Sequence, residues 1–304
     1  MKPNTGQNPR AESTVELPAE YSYASDRHLT PTPATIADFL AFRSRIGASH
    51  SVLTHGLCYG SNCSSLVAVL QRLGTSTAKG IGVIDPAATS DQEIMKMHDA
   101  GVRGIRVNLY EYGAMHDSKL QEELLRNHAI RLKDFPGWTM AFTQLHPEFW
   151  EVLRPTIISD VAGRGVRLVT DHFALLKGRS MLPTEYEDHI ERQPGFAAIV
   201  SLMRDGFLWV KLSAPYRVSE MSPGYEDLEP LVRALVSANP RRILWGSDWP
   251  HTPQMKVRAK EEAMLEVPNL DIDDIAWLKS LKHWLSDQEW DLMMKVNPNE
   301  LYNW

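Results

Sequence analysis

Short apolar runs alternate along the chain with longer segments whose apolar residues return every three or four positions, the pattern of parallel strands covered by amphipathic helices. Seven runs read as buried strands, over residues 51–57, 79–85, 104–109, 139–144, 166–172, 207–213 and 243–248. Helices are predicted between them over 36–46, 64–73, 91–100, 119–133, 147–162, 196–204 and 227–237. End signals agree with the periodicity: Ser90 precedes Glu93 by three positions, as a capping box requires, and Gly101 closes the same segment. From residue 268 onward the pattern is again helical. Trp277, Trp284 and Trp290 are spaced there for burial against the body of the fold or against a second copy of the chain in a homo-oligomer.

Seven parallel strands call for an eighth, because eight close into a cylinder and leave no unpaired edge. The expected fold is therefore α/β, a (β/α)₈ TIM barrel. Its first strand must precede Ser51, where nothing has the apolar character of the other seven. Thr14-Val15-Glu16-Leu17 is the best candidate, so the first strand is expected to be degenerate or missing. Residues 1–20 are polar and proline-bearing and read as a disordered leader. No internal repeat or low-complexity linker divides the remainder, which makes 21–304 one domain.

Composition narrows the partners more than the fold. A chain of 304 residues with 43% hydrophobic and 23% charged residues has enough apolar material for a barrel core. The net charge of −6 is modest and argues against nucleic acid or an anionic membrane, leaving a small molecule as the expected partner. No run approaches the eighteen or so apolar residues of a membrane span, and no basic-then-apolar signal opens the chain. Cys58 and Cys63 form neither a secreted disulfide framework nor a zinc knuckle, so a cytoplasmic location is expected.

Two strand ends carry the candidate chemistry. Ile243-Leu244-Trp245 runs on through Gly246-Ser247 to Asp248, Trp249, Pro250 and His251, and the run from Val166 to Thr170 leads into Asp171-His172. An apolar strand needs burial whereas a carboxylate and an imidazole need a polar opening, so both strands must end at a cleft. Asp248 is the candidate general base, its pKa raised by the desolvating Trp245 and Trp249 unless a neighbouring arginine pulls it down. His172 and His251 would hold or exchange the proton. Arg106 and Arg217 sit inside or just after apolar strands, where an unpaired guanidinium is costly. Each must meet a carboxylate, from Asp85, Asp171 or Glu111 or from a substrate. Tyr23 and His55, near strand tips, are further candidates for the pocket wall.

Several stretches, in order, resemble the amidohydrolase-related family typified by 2-pyrone-4,6-dicarboxylate lactonase. They are Tyr21-Ser22-Tyr23-Ala24-Ser25-Asp26-Arg27-His28-Leu29-Thr30-Pro31, Asp99-Ala100-Gly101-Val102-Arg103-Gly104-Ile105-Arg106-Val107-Asn108, Val169-Thr170-Asp171-His172, Val210-Lys211-Leu212-Ser213-Ala214-Pro215-Tyr216-Arg217, Leu244-Trp245-Gly246-Ser247-Asp248-Trp249-Pro250-His251 and Asn297-Pro298-Asn299-Glu300-Leu301-Tyr302. The resemblance implies a barrel with its active site at the C-terminal strand ends. It implies hydrolysis of a lactone or ester in a small cyclic, carboxylated, pyrone- or polyketide-like substrate, by water that Asp248 activates.

Departures from the family pattern shape the rest. Its strand-one His-x-His, which binds the ion in metal-using members, has no counterpart before Tyr23. No cofactor is therefore expected, and if zinc were bound its ligands would be His172, Asp248 and His146. Tyr112 stands where the family has a second arginine and Thr143 where it has a strand-five tyrosine; both are expected at the substrate. A metal-assisted carboxy-lyase and a non-hydrolytic, ligand-binding or isomerising protein remain as alternatives.

Overall fold

The computed structural model describes residues 10–13, 21–253 and 258–304. Eight parallel strands follow one another around a single sheet: β1 (Arg10–Ser13), β2 (His50–Thr54), β3 (Ala78–Gly82), β4 (Val102–Arg106), β5 (Thr139–Ala141), β6 (Arg167–Thr170), β7 (Leu208–Leu212) and β8 (Ile243–Trp245). β8 comes round to lie against β1, which gives the expected barrel architecture. Between successive strands run α1 (Ile36–Arg45), α2 (Ser64–Leu73), α3 (Asp91–Asp99), α4 (Ser118–Leu132), α5 (Phe149–Thr156), α6 (Phe196–Arg204) and α7 (Glu229–Ala238). α8 (Asp274–Trp284) follows β8 and buries Trp277 and Trp284 with ring centroids 5.6 Å apart, against Phe173 and Tyr225.

The first strand lies in a stretch with no apolar signature. Arg10–Ser13, inside the expected leader, pairs in parallel with His50–Leu53, so the sheet begins well before residue 21. Arg-Ala-Glu-Ser has no apolar run; backbone hydrogen bonding to β2 defines this strand, and hydrophobic periodicity cannot report that. The candidate at 14–17 and the rest of the expected leader lie outside the described residues.

Two-residue alternation decides what the barrel encloses. Val52, Ile81, Ala141, Val169, Trp209 and Leu244 point inward and form one cluster, while Ile105, Met140, Phe142, Leu168, Val210, Leu212, Ile243 and Trp245 face the helices. Two or four residues further along the inward register come Arg106, Thr143, Asp171, Lys211, Ser213 and Asp248. The inward face thus passes from apolar to polar toward the C-terminal strand ends, and the polar layer becomes the site.

The opposite end is closed by the chain's own C-terminus. The helix Asn297–Tyr302 places Leu301 and Tyr302 in the inward cluster, and Asn297 donates to the carbonyls of Pro240 and Ile243 at 2.8 and 2.7 Å. Trp304 follows, with the His50 ring edge-on at 4.8 Å and the Lys79 ammonium 5.1 Å from its centroid. Leu301→Ala should open a cavity in this floor and cost about 2–5 kcal/mol in urea unfolding. Because the floor lies away from the strand tips, KM should stay unchanged; an unchanged unfolding midpoint would contradict this role for Leu301.

Candidate active site

A cavity of about 120 Å³ opens at the C-terminal strand ends, walled by Arg106, Thr143, His172, Arg217 and Asp248 together with His28, Leu29, Leu57 and Cys58. Asp248 is presented by a left-handed backbone (φ 64°) just past β8, and His172 begins four successive left-handed residues, through Leu175, just past β6. None of these is glycine, so each costs about 1–2 kcal/mol. The turn after β6 is held by burial of Phe173 and by the Ser213 hydroxyl, which accepts from the His172 amide at 3.1 Å.

Charge in the cleft is almost fully paired. Arg217 donates from Nε and Nη2 to Asp248 Oδ2, at 3.1 and 2.8 Å, and from Nη2 to the Thr252 carbonyl at 2.9 Å. The Tyr216 hydroxyl donates to the same Oδ2 at 2.7 Å. Burial alone would raise the Asp248 carboxyl, but Arg217 and Tyr216 outweigh it and hold the group below its ordinary value. Beneath, the Lys211 ammonium meets Asp171 Oδ1 at 2.8 Å and the Thr143 hydroxyl donates to Asp171 Oδ2 at 2.7 Å. Lys211 likewise overrides the burial that would raise Asp171, so this carboxylate too stays ionised. Arg106 reaches the same cavity and makes no hydrogen bond or ion pair among the described residues. One positive charge is therefore left for a ligand.

His172 is neutral: burial pushes its imidazole down to about 4, with Asp248 only partly opposing. Its Nδ1 lies 2.9 Å from the Ser213 oxygen. In the tautomer with the imidazole hydrogen on Nε2, Nδ1 accepts from this hydroxyl and Nε2 is the donor. Nε2 faces Asp248 Oδ1 at 3.9 Å, too far for a direct hydrogen bond but bridgeable by one oxygen atom.

The other expected site residues lie elsewhere. His251 turns away from the cleft on a left-handed backbone (φ 67°) and is buried against Asp274 at the start of α8, Nε2 to Oδ2 2.9 Å. It anchors the turn after β8 and does not itself line the cavity. His55 is buried below the cleft and donates from Nε2 to the Gly60 carbonyl at 3.0 Å, holding the turn after β2. Tyr112 packs edge-on against His128 with centroids 6.1 Å apart, and Tyr23 lines a neighbouring cavity. The partner of Arg217 is Asp248 and not Asp85, Asp171 or Glu111. Three contributors went unread in the sequence: Tyr216, Lys211 and His28. Lysine inside the apolar run Leu208–Leu212 was the available signal, since an ammonium pointing into the barrel must meet a carboxylate from a neighbouring strand.

The three candidate metal ligands do not come together among the described residues. His146 pairs with His116 at 2.6 Å and is not among the residues that wall the cleft with His172 and Asp248. Among the described residues no group of three His, Cys, Asp or Glu side chains converges to hold an ion. Of the remaining two donors, Asp248 already carries a guanidinium whose charge opposes a cation.

Comparison with known proteins places the chain. The family model described as Amidohydrolase matches residues 9–304. The chain belongs to the amidohydrolase family. This amidohydrolase is 30% identical over 260 residues to the 2-pyrone-4,6-dicarboxylate hydrolase of Comamonas testosteroni, covering 81% of this chain and 77% of that one. It is 28% identical over 247 residues to the 4-sulfomuconolactone hydrolase of Hydrogenophaga intermedia, covering 79% and 73%. A solved Agrobacterium tumefaciens structure shares its fold with a TM-score of 0.76 at 21% identity, over 99% of this chain and 98% of that one. The amidohydrolase is thus an enzyme of the hydrolase type. No helix among its described residues is long and apolar enough to cross a membrane.

The buried imidazoles set its acid stability. His28, His55 and His172 each ionise near 4 in the fold, against 6.5 ordinarily, with burial the largest cause. Between those values the unfolded chain binds more protons than the folded one, so stability falls as pH drops from 6.5 to 4. Each imidazole contributes at most about 1.4 kcal/mol per pH unit. Urea midpoints measured at pH 7 and pH 5 should show that loss; equal midpoints would contradict it.

Proposed function

We propose that this hydrolase opens a lactone bearing a carboxylate, with Asp248 as the general base and no metal ion. The observation that carries the reading is one uncompensated cation, Arg106, in the same cavity as an ionised carboxylate whose second oxygen is free to face a water. Arg106 binds the substrate carboxylate. Water bridging Asp248 Oδ1 and His172 Nε2 lies where both can act on it. Asp248 takes its proton as the water oxygen bonds to the ring carbonyl carbon, and the neutral imidazole or His28 donates to the developing oxyanion. The ring carbon–oxygen bond then breaks, and the proton on Asp248 passes to the released oxygen.

Asp248 kept low in pKa is a modest base, but it is ionised over the whole neutral range. That suits an ester whose carbonyl is already activated, as in a pyrone or an enol lactone. The names of the two hydrolase relatives point the same way. One spare guanidinium favours a single carboxylate over a dicarboxylate at this position.

A panel of pyrone and muconolactone carboxylates, followed by ultraviolet absorbance with and without chelator, tests the proposal. Ring opening unaffected by chelator is expected. Asp248→Asn should lower kcat by about 10²–10⁴ while ligand binding persists, and Arg106→Leu should raise KM by about 10–100-fold. Turnover that requires added zinc, or full activity in Asp248→Asn, would overturn the assignment.

A further inference from the structure

A second cavity lies beside the first on the same face of the barrel. At about 430 Å³ against about 120 Å³ it is the larger, and its walls come from residues 22–27, from Leu57, from 59–62 and from Asn108, Tyr110 and Glu111. Leu57 belongs to the walls of both cavities. The rings of His28 and Tyr110, centroids 5.1 Å apart, join them too, His28 lining the cleft and Tyr110 its neighbour. Leu57 and the His28–Tyr110 pair thus form the boundary between two adjacent cavities.

The two cavities differ in chemistry. Where the cleft has a spare guanidinium, the second cavity carries two carboxylates, Asp26 and Glu111, against one cation, Arg27. Arg27 is engaged locally, Nε with the Thr30 hydroxyl at 2.6 Å and Nη1 with the Ala24 carbonyl at 2.9 Å. Tyr23, Tyr59 and Tyr110 add aromatic surface, the first two with centroids 4.9 Å apart. Such walls disfavour an anion and suit a ring whose hydroxyls donate to carboxylates.

Building on the lactone-opening reading, we infer that the substrate is an extended lactone. Its carboxylated ring occupies the cleft, and a hydroxylated aromatic substituent reaches over Leu57 into the second cavity. There the ring packs on the tyrosines and its hydroxyls donate to Asp26 and Glu111. A pyrone carboxylate without such a substituent uses only the smaller part of the site.

The test compares kcat/KM for three 2-pyrone carboxylates: unsubstituted, hydroxyphenyl-substituted and carboxyphenyl-substituted. The hydroxyphenyl compound should be preferred over the unsubstituted one by about tenfold or more, whereas the carboxyphenyl compound should gain nothing. Ser61→Trp, which fills the second cavity from its exposed rim, should abolish the preference and leave the unsubstituted compound unaffected. Glu111→Gln should improve the carboxyphenyl compound relative to the other two. Equal efficiency for all three in the native enzyme, or a preference that survives Ser61→Trp, would overturn the inference while leaving the hydrolase standing. Failure to open any lactone, the unsubstituted control included, would instead sink the hydrolase reading and this extension with it.

Discussion

The contact between Arg217 and Asp248 governs the site. Both side chains are largely withdrawn from water, and neither would be tolerable there alone. Together they neutralise each other, fix one carboxylate oxygen and leave the other turned toward His172. The same pairing determines what can bind. With Arg217 engaged and Lys211 held by Asp171, the charge left over is that of Arg106, and a carboxylated ligand is its complement.

The scaffold maintains geometry that the local backbone resists. His172 through Leu175, Ala214, Asp248 and His251 all adopt left-handed conformations at the ends of β6, β7 and β8. The strain is concentrated at three neighbouring strand ends, on the face that holds the cavity and the proposed site. It persists because the surroundings over-determine it. Phe173 is packed against Trp277, Ser213 holds His172, and the buried His251–Asp274 pair ties the turn after β8 to α8. An apolar barrel interior closed by Leu301 and Tyr302 completes the support from below.

Much of this was legible in the sequence, for a physical reason. Strands β2 to β8 carry apolar runs, and where the inward register turns polar at Arg106, Asp171 and Asp248 a cleft has to follow. Periodicity has no purchase on β1, whose four residues form no apolar run and are defined by pairing with His50–Leu53. His251 was misplaced because nearness in the chain does not give direction: a left-handed turn swings it from the cleft to a carboxylate 23 residues further on. Burial by Trp245 and Trp249 suggested a raised pKa for Asp248. An arginine 31 residues earlier reverses the sign, and only the folded chain shows that they meet.

The central claim is that Arg217 keeps Asp248 ionised so that it can serve as the base. A pH–rate profile of kcat/KM for a pyrone carboxylate, measured on the native enzyme and on Arg217→Met, addresses it directly. Without the guanidinium, burial is free to raise the carboxyl, so the acid limb of the profile should move to higher pH in the variant. An acid limb at the same pH in both proteins would contradict the account.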